Sequence, residues 1–475
     1  MSTPAYGDDA PIAAFATPLS ESALALIRCS GKNAVELLAP FFSRPENLLN
    51  ARGNTVVHGW IIKSGERIDE VLVSVFRAPR SFTGEESFDI SCHGGISAAR
   101  AVMRVLNTAG FRNALPGEFT FRAFMSGKLD LTRSESVMEI VSAKTDLSRR
   151  HAIQRLSGVL EQEIIAIKNL LVQALSQTEI LLDYSEDEIG ASNDEMTGAM
   201  PGKPQAAEAL DRLKTLASSW RRERLYQEGA LAVIAGRPNA GKSSLFNLLL
   251  KEERSIVTEA PGTTRDWIEA WISSDGIPIR LVDTAGLRDS NDPVEKIGVE
   301  RSRELLHEAD LILYVIDGET GITEDDRVFL EEYSQKSENR KMAVQVLALW
   351  NKADKVPLPQ TIANTNNHGK CPTLIAVSAK TGLGITELTS VMSSLLGSTD
   401  TTETTAGIAT IRQKNLIDTA IEAVESALEL AANGEPLDLI APQLRSAVNS
   451  LGEITGEVST VDILEAMFSK FCVGK

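Results

Sequence analysis

The residues best suited to chemistry lie in one short run, Gly236-Arg237-Pro238-Asn239-Ala240-Gly241-Lys242-Ser243, followed by Ser244. A glycine-rich turn ending in Lys-Ser lets backbone N–H groups converge on phosphate oxygens, and a following helix adds the partial positive charge of its N-terminus. The apolar run Leu231 to Ala235 precedes it and a helical pattern follows, the strand–loop–helix context the motif requires. In this reading Lys242 reaches the β- and γ-phosphates and the Ser243 hydroxyl is a Mg2+ ligand.

Base choice is carried further along. Asn351-Lys352-Ala353-Asp354 follows a later apolar run. A carboxylate only accepts hydrogen bonds. Asp354 therefore matches the paired N1–H and exocyclic amine donors of guanine, which adenine lacks. Asn351 and the Lys352 stem position the loop and cover the base, and Ser378-Ala379-Lys380 offers a backbone N–H to the guanine O6. The nucleotide implied is GTP.

Two segments between these have the pattern of switches. Asp283-Thr284-Ala285-Gly286 ends an apolar run, placing Asp283 to hold Mg2+ through water and the Gly286 N–H to sense a γ-phosphate. Gly262-Thr263-Thr264-Arg265-Asp266 lies where a first switch belongs, with Thr264 as the second protein ligand to Mg2+. Ras-type enzymes carry a water-orienting Gln just after such a DxxG and borrow an arginine finger. Here that position is Leu287, which does neither job. Asn239 becomes a candidate for holding a monovalent cation in place of the finger. Asp289, Asp292, Glu295 and Glu300 are the candidates for orienting the attacking water.

The elements that must position these groups change character along the chain. Residues 1–120 mix short β-like runs with helical stretches and read as an α+β domain. From 121 to 225 the pattern is helical, with Leu160, Ile164, Ile167, Leu171, Leu175, Thr178 and Leu182 on one expected face. An acidic, breaker-rich segment (185–205) reads as a loop. Between 226 and 385 five apolar runs alternate with helical segments, the mark of a mostly parallel sheet. A Ser/Thr-rich linker (397–407) follows, and helices return within 386–475. The expected fold class is multidomain α/β, with the P-loop domain (226–385) inserted into a helical bundle domain made of 121–225 and 386–475.

Composition sets the outer limits. A net charge of −17 argues against a general nucleic-acid coat, though not against a local basic patch or an RNA substrate positioned by a partner. The four cysteines, Cys29, Cys92, Cys371 and Cys472, have neither disulfide-framework nor metal spacing and fit a reducing compartment. The N-terminus lacks a signal-peptide pattern, and no apolar stretch approaches 18 residues. The expectation is a soluble, cytoplasmic protein without a membrane partner. His93, in Cys92-His93-Gly94-Gly95, reads as a turn residue rather than a metal ligand.

Over nearly its whole length the chain resembles the MnmE (TrmE) family of tRNA-modification GTPases. Besides the nucleotide motifs, the resemblance rests on Ser81-Phe82-Thr83-Gly84-Glu85, Pro116-Gly117-Glu118-Phe119, Lys128-Leu129-Asp130-Leu131 and the terminal Phe471-Cys472-Val473-Gly474-Lys475. It implies action with a flavin-dependent partner, MnmG, adding a carboxymethylaminomethyl or aminomethyl group at C5 of the wobble uridine (position 34) of certain tRNAs. It implies an N-terminal domain similar to folate-dependent one-carbon domains, which forms a homodimer and binds 5-formyl- or 5,10-methylene-tetrahydrofolate through Arg28, Glu85 and Lys128, with Lys475 near by. It also implies K+ held by Asn239, Thr258, the Ala260 carbonyl and Thr263, a nucleotide contact set that includes Glu259 and Pro261, and Glu295 and Cys472 as the catalytic residues. The chain departs from many members in Pro18-Leu19-Ser20-Glu21-Ser22-Ala23, where they have a Gly- and Arg-rich turn, and in Arg412-Gln413, where His often follows the Arg. The alternatives are a GTP-dependent ribosome-assembly switch, disfavoured by the acidic balance, and a dynamin-like GTPase, disfavoured by the lack of a membrane-binding segment.

Overall fold

In a computed structural model the described residues are 6, 8–183, 200–252, 268–283, 304–336, 344–359, 373–397, 407–458 and 461–474. The chain divides into two compact units. One comprises Met1–Met138, Arg155–Leu213 and Asn415–Lys475, and the other Glu139–Gln154 and Lys214–Lys414.

The first unit is built on a six-stranded sheet of order β3-β4-β5-β2-β1-β6, from β1 (Ile12–Phe15), β2 (Leu24–Ser30), β3 (Thr55–Lys63), β4 (Glu66–Phe76), β5 (Ser87–His93) and β6 (Arg112–Asn113). Pairing is antiparallel except between β1 and β6. Side chains alternate across a strand, so Ala25, Ile27 and Cys29 of β2 enter an apolar core with Val71, Val73, Val75, Phe88 and Ile90. Arg28 and Ser30 consequently project from the opposite face.

The helical part of this unit corrects the expected stripe. In helix Val159–Asp183 the fully buried residues are Leu160, Ile164, Ile167, Leu171, Ala174 and Thr178, whereas Leu175 is half-buried and Leu182 exposed. Ala174 takes the place of Leu175 because the chain passes closely there: a Cβ on Gly202 would lie 2.5 Å from the Ala174 Cα. The segment Val159–Leu182 also has a mean hydropathy of 1.2 over its most apolar stretch, enough by length and composition to cross a membrane, which the sequence reading did not register. A third of that stretch is buried, along one face of the helix, while Ile165, Val172 and Ile180 are exposed.

The second unit has a six-stranded sheet of order β12-β11-β10-β7-β9-β8, from β7 (Ala230–Gly236), β8 (Ile268–Ser274), β9 (Ile277–Asp283), β10 (Leu311–Asp317), β11 (Gln345–Asn351) and β12 (Leu374–Ala376). Only the β8–β9 pairing is antiparallel. β7 and β10 are buried nearly throughout, as expected of parallel strands covered on both faces. The β7–β10 register aligns Gly236 with Val315 and the β10–β11 register aligns Asp317 with Asn351, so the C-terminal strand ends form one edge. In open parallel sheets that edge is where ligand sites are built.

Candidate functional site

The phosphate loop leaves β7 at Gly236 and enters helix Lys242–Glu252. At Gly236 (φ +140°) a Cβ would lie 2.4 Å from the Val315 carbonyl oxygen, so only glycine lets β10 approach this closely. Asn239 sits in the left-handed region at φ +64°. The Lys242 side chain is folded into the loop, where its Nζ donates to the carbonyls of Gly236 (3.0 Å) and Arg237 (2.9 Å). Ser243 Oγ donates to Asp283 Oδ2 at 2.7 Å, which brings together two groups expected to serve Mg2+. A hydroxyl and a carboxylate side by side are hard oxygen donors, which fit that ion.

The two loops expected to meet the base are tied to the phosphate loop by the Asn351 side chain. Asn351, 2% exposed at the end of β11, donates from Nδ2 to the Ala240 carbonyl (2.7 Å) and accepts the Ala379 N–H at Oδ1 (3.0 Å). Three loops far apart in sequence are thereby held in one register, and Gly241 is required for it: a Cβ there would lie 2.2 Å from the Asn351 amide nitrogen. Asp354 Oδ1 accepts from Ser378 Oγ at 2.6 Å, and that hydroxyl accepts the Thr381 N–H, so the carboxylate is anchored by the Ser-Ala-Lys loop. Ala353 donates its N–H to the Val377 carbonyl at 3.1 Å, and Lys380 is exposed. Lys352, at φ +62°, donates to Asp317 Oδ2 (2.7 Å) and Glu319 Oε2 (2.8 Å). These bonds raise its pKa, and bonds from Lys352 and Lys355 draw Glu319 down to about 2. The sequence reading missed Asp317 and Glu319; the signal available was the acid that closes the apolar run Leu311–Asp317.

Several expected site residues lie outside the described residues: Thr258, Glu259, Ala260, Pro261, Gly262, Thr263, Thr264, Thr284, Ala285, Gly286, Glu295 and Lys475.

In the first unit, Arg28 donates to both oxygens of Asp89, its cross-strand partner, at 3.1 and 3.3 Å, and its Nη1 lies 3.5 Å from the Gly474 carbonyl. The C-terminal segment is fixed there: Phe471 is buried, the Gly117 N–H donates to the Cys472 carbonyl at 3.2 Å, and the Cys472 side chain is exposed. Gly117 (φ +67°) admits it, because a Cβ would lie 2.8 Å from that of Phe471. Two residues along β2 from Arg28, Ser30 donates to Glu85 at 2.7 Å, and Arg122 donates to both Glu85 oxygens at 3.1 and 3.2 Å. Lys128 Nζ donates to the Pro79 carbonyl at 2.9 Å. Arg28 and Glu85 thus share a sheet face with the C-terminal segment, whereas the Lys128 ammonium is held by a loop carbonyl.

Beneath Glu85 lies a buried ionic hub that the sequence did not announce. Glu118 is fully buried and accepts from Arg112 (2.6 and 2.8 Å), from the Leu115 N–H (2.8 Å) and from Arg122 (2.9 Å). Burial pushes its pKa up, but these donors together outweigh burial and hold it below the usual carboxylate value. His93 is more than a turn residue. Its backbone N–H donates to Asp69 Oδ2 at 2.9 Å and its Nδ1 lies 2.6 Å from Oδ1, which raises its pKa.

The second unit is, by its strand order, phosphate loop and guanine-type base loops, that of a P-loop GTPase. Residues 131–472 match the family model of the MnmE helical domain, and residues 11–128 match that of the GTP-binding protein TrmE N-terminus. A tRNA modification GTPase MnmE of Treponema denticola is 41% identical over 98% of each chain, and that of Carboxydothermus hydrogenoformans is 40% identical over 98% of this chain and 99% of its own. The chain belongs to the MnmE family. A crystal structure of an Aquifex aeolicus Era variant bound to GDP.AlF4- aligns over 41% of this chain and 66% of its own, at 25% identity and a TM-score of 0.28, too partial a likeness to build on.

Proposed function

We propose that this chain binds and hydrolyses GTP and uses that cycle in tRNA modification. The observation that carries the nucleotide reading is the Asn351 junction, which sets the phosphate loop, the Asp354 carboxylate and the Ala379 amide in one frame. In this frame Lys242 leaves its loop carbonyls for the phosphates, and Asp354 accepts the two guanine donors. Ser243 and Asp283 are the residues that would hold Mg2+, which offsets charge between the β- and γ-phosphates.

The finer parts of the reading follow the family. The substrate is the wobble uridine of certain tRNAs, modified together with the flavin-dependent MnmG by a one-carbon unit from tetrahydrofolate. Arg28 and Glu85, with Lys128 and Lys475, form the folate site of a homodimer held by residues 1–120, next to the Cys472 thiol. Hydrolysis depends on K+ held by Asn239, Thr258, Ala260 and Thr263, with Glu295 orienting water. The docking of the C-terminal segment supports the folate part, because the carbonyl of Gly474, two residues from the cysteine, lies against Arg28.

The decisive experiment is Asp354→Asn. The amide presents a donor where the carboxylate accepts, so preference should pass from GTP to xanthosine triphosphate, with roughly a hundredfold loss for GTP. Unchanged GTP affinity would overturn the base assignment. Mass analysis of wobble uridine in cells lacking the gene tests the substrate: full modification would remove the tRNA reading. Equal hydrolysis rates in potassium and sodium at matched ionic strength would remove the cation.

A further inference from the structure

The turn that leaves β10 is docked on the base-recognition loop. The Gly318 N–H donates to the Asn351 carbonyl at 3.0 Å, and a Cβ on Gly318 would lie 2.6 Å from that oxygen and 2.8 Å from the Trp350 indole nitrogen, so glycine is needed for the approach. The turn is internally fixed: Asp317 accepts the Glu319 N–H at Oδ1 (3.0 Å), and its carbonyl accepts the N–H groups of Thr320 and Gly321. That leaves Asp317 Oδ2 for the Lys352 ammonium at 2.7 Å. The two carboxylates that grip Lys352 differ in setting. The Asp317 side chain is 14% exposed and its strand is aligned with Asn351, whereas Glu319 is 41% exposed and shared with Lys355. Lys352 itself is held in the left-handed backbone region, which a non-glycine residue occupies only when its surroundings impose it.

We propose that Asp317 is a positioning residue for the bound nucleotide: it holds the Lys352 ammonium so that the lysine stem stays over the base, and thereby sets how fast the nucleotide leaves. The proposal rests on the GTP reading above and deepens it. Because Asp317 acts through Lys352, its effect falls on nucleotide release and not on the phosphate chemistry. Glu319, exposed and shared, contributes less, as surface pairs do.

The test is the dissociation rate of a fluorescent N-methylanthraniloyl-GDP from the full chain, followed by stopped flow, with the single-turnover hydrolysis rate of pre-bound GTP measured beside it. Asp317→Asn should speed release about tenfold, the loss of one charge-assisted hydrogen bond, and should change the release rate far more than the single-turnover rate. In a Lys352→Met background the same substitution should add nothing, whereas a merely structural role would add in both backgrounds. Unchanged release in Asp317→Asn, or equal acceleration in both backgrounds, overturns the proposal. Should Asp317→Asn not fold, Lys352→Met alone decides: release about tenfold faster supports the proposal, because the stem remains and only the ammonium held by Asp317 is gone, and unchanged release counts against it. A wild-type chain that binds no guanine nucleotide would instead overturn the GTP reading, so the two failures are distinct.

Discussion

The nucleotide edge of the second unit and the ionic hub of the first are both polar clusters at the edge of a six-stranded sheet, yet they are assembled in opposite ways. At the nucleotide edge the polar side chains come from short motifs, and several of their partners are backbone groups: Asn351 bonds Ala240 and Ala379, and Lys242 bonds Gly236 and Arg237. In the hub the partners are mostly other charged side chains, with Arg112, Glu118, Arg122 and Glu85 paired to one another. A site that must receive phosphates and a base keeps its donors satisfied by contacts that a ligand can replace. In the hub the charged side chains take up most of one another's bonding capacity, and Arg112 and Arg122 place further N–H groups on the carbonyls of Asn113, Asp8 and Ala10. The first kind of cluster is suited to exchange and the second to fixed position, with Glu85 linking the hub to Ser30 of β2.

Mutation should separate the two. The largest effect is expected at Glu118→Ala, which takes a fully buried, shared carboxylate away from the half-buried Arg112 and the buried Arg122. Removing one partner of a buried pair costs about 3–5 kcal/mol. Urea unfolding should show this loss, while GDP affinity measured on the same samples stays as in the parent chain; a small loss, or a parallel fall in GDP affinity, would break the contrast. The pH dependence has a definite sign. Because the folded-state pKa of Glu118 is depressed, its contribution is present above the ordinary carboxylate range and is lost as pH falls through its folded value. The acid sensitivity of the parent chain should therefore shrink in the variant.

Asn351→Ala is the mirror experiment. Two buried hydrogen bonds are lost and the Ala240 carbonyl is left without that donor, so guanine-nucleotide affinity should drop about a hundredfold. Calorimetry checks it, with the urea profile of the N-terminal sheet expected to stay in place. Affinity within about threefold of the parent would show that the three loops hold their register without Asn351.

The smallest effect is expected at His93, whose ring is exposed. Its folded-state pKa is raised by Asp69, so the pair's contribution is complete below the unfolded histidine value and fades as pH rises through the folded one. Proton NMR should find the His93 titration above the ordinary histidine range, and Asp69→Asn should return it there. A His93 titration already at the ordinary value would make the Asp69 contact irrelevant in solution.

How much was legible in the sequence depended on how local the determinant was. The phosphate loop, the Asn351–Asp354 loop and the Ser378–Lys380 loop could be read because each is a few residues long and its residue types are dictated by ligand chemistry. The stripe of helix Val159–Asp183 was right at Leu160, Ile164, Ile167, Leu171 and Thr178 and wrong at Leu175 and Leu182; at Leu175 the close passage of Gly202 selects a small neighbour, Ala174, and periodicity alone does not encode that approach.

Tertiary structure alone decided the rest. Nothing local to Asp317 says that it will meet Lys352, 35 positions away, because that pairing exists only after β10 and β11 lie side by side. The same holds for Ser30 with Glu85, for Arg122 with Glu85, and for the Gly474 carbonyl beside Arg28, which is 446 positions distant. The sequence determined which groups the chain would offer to a nucleotide, since phosphate and guanine demand particular side chains at particular short spacings. Strand order and register determined which buried charges would neutralise one another, since Coulomb attraction acts on distance in space and is blind to distance along the chain.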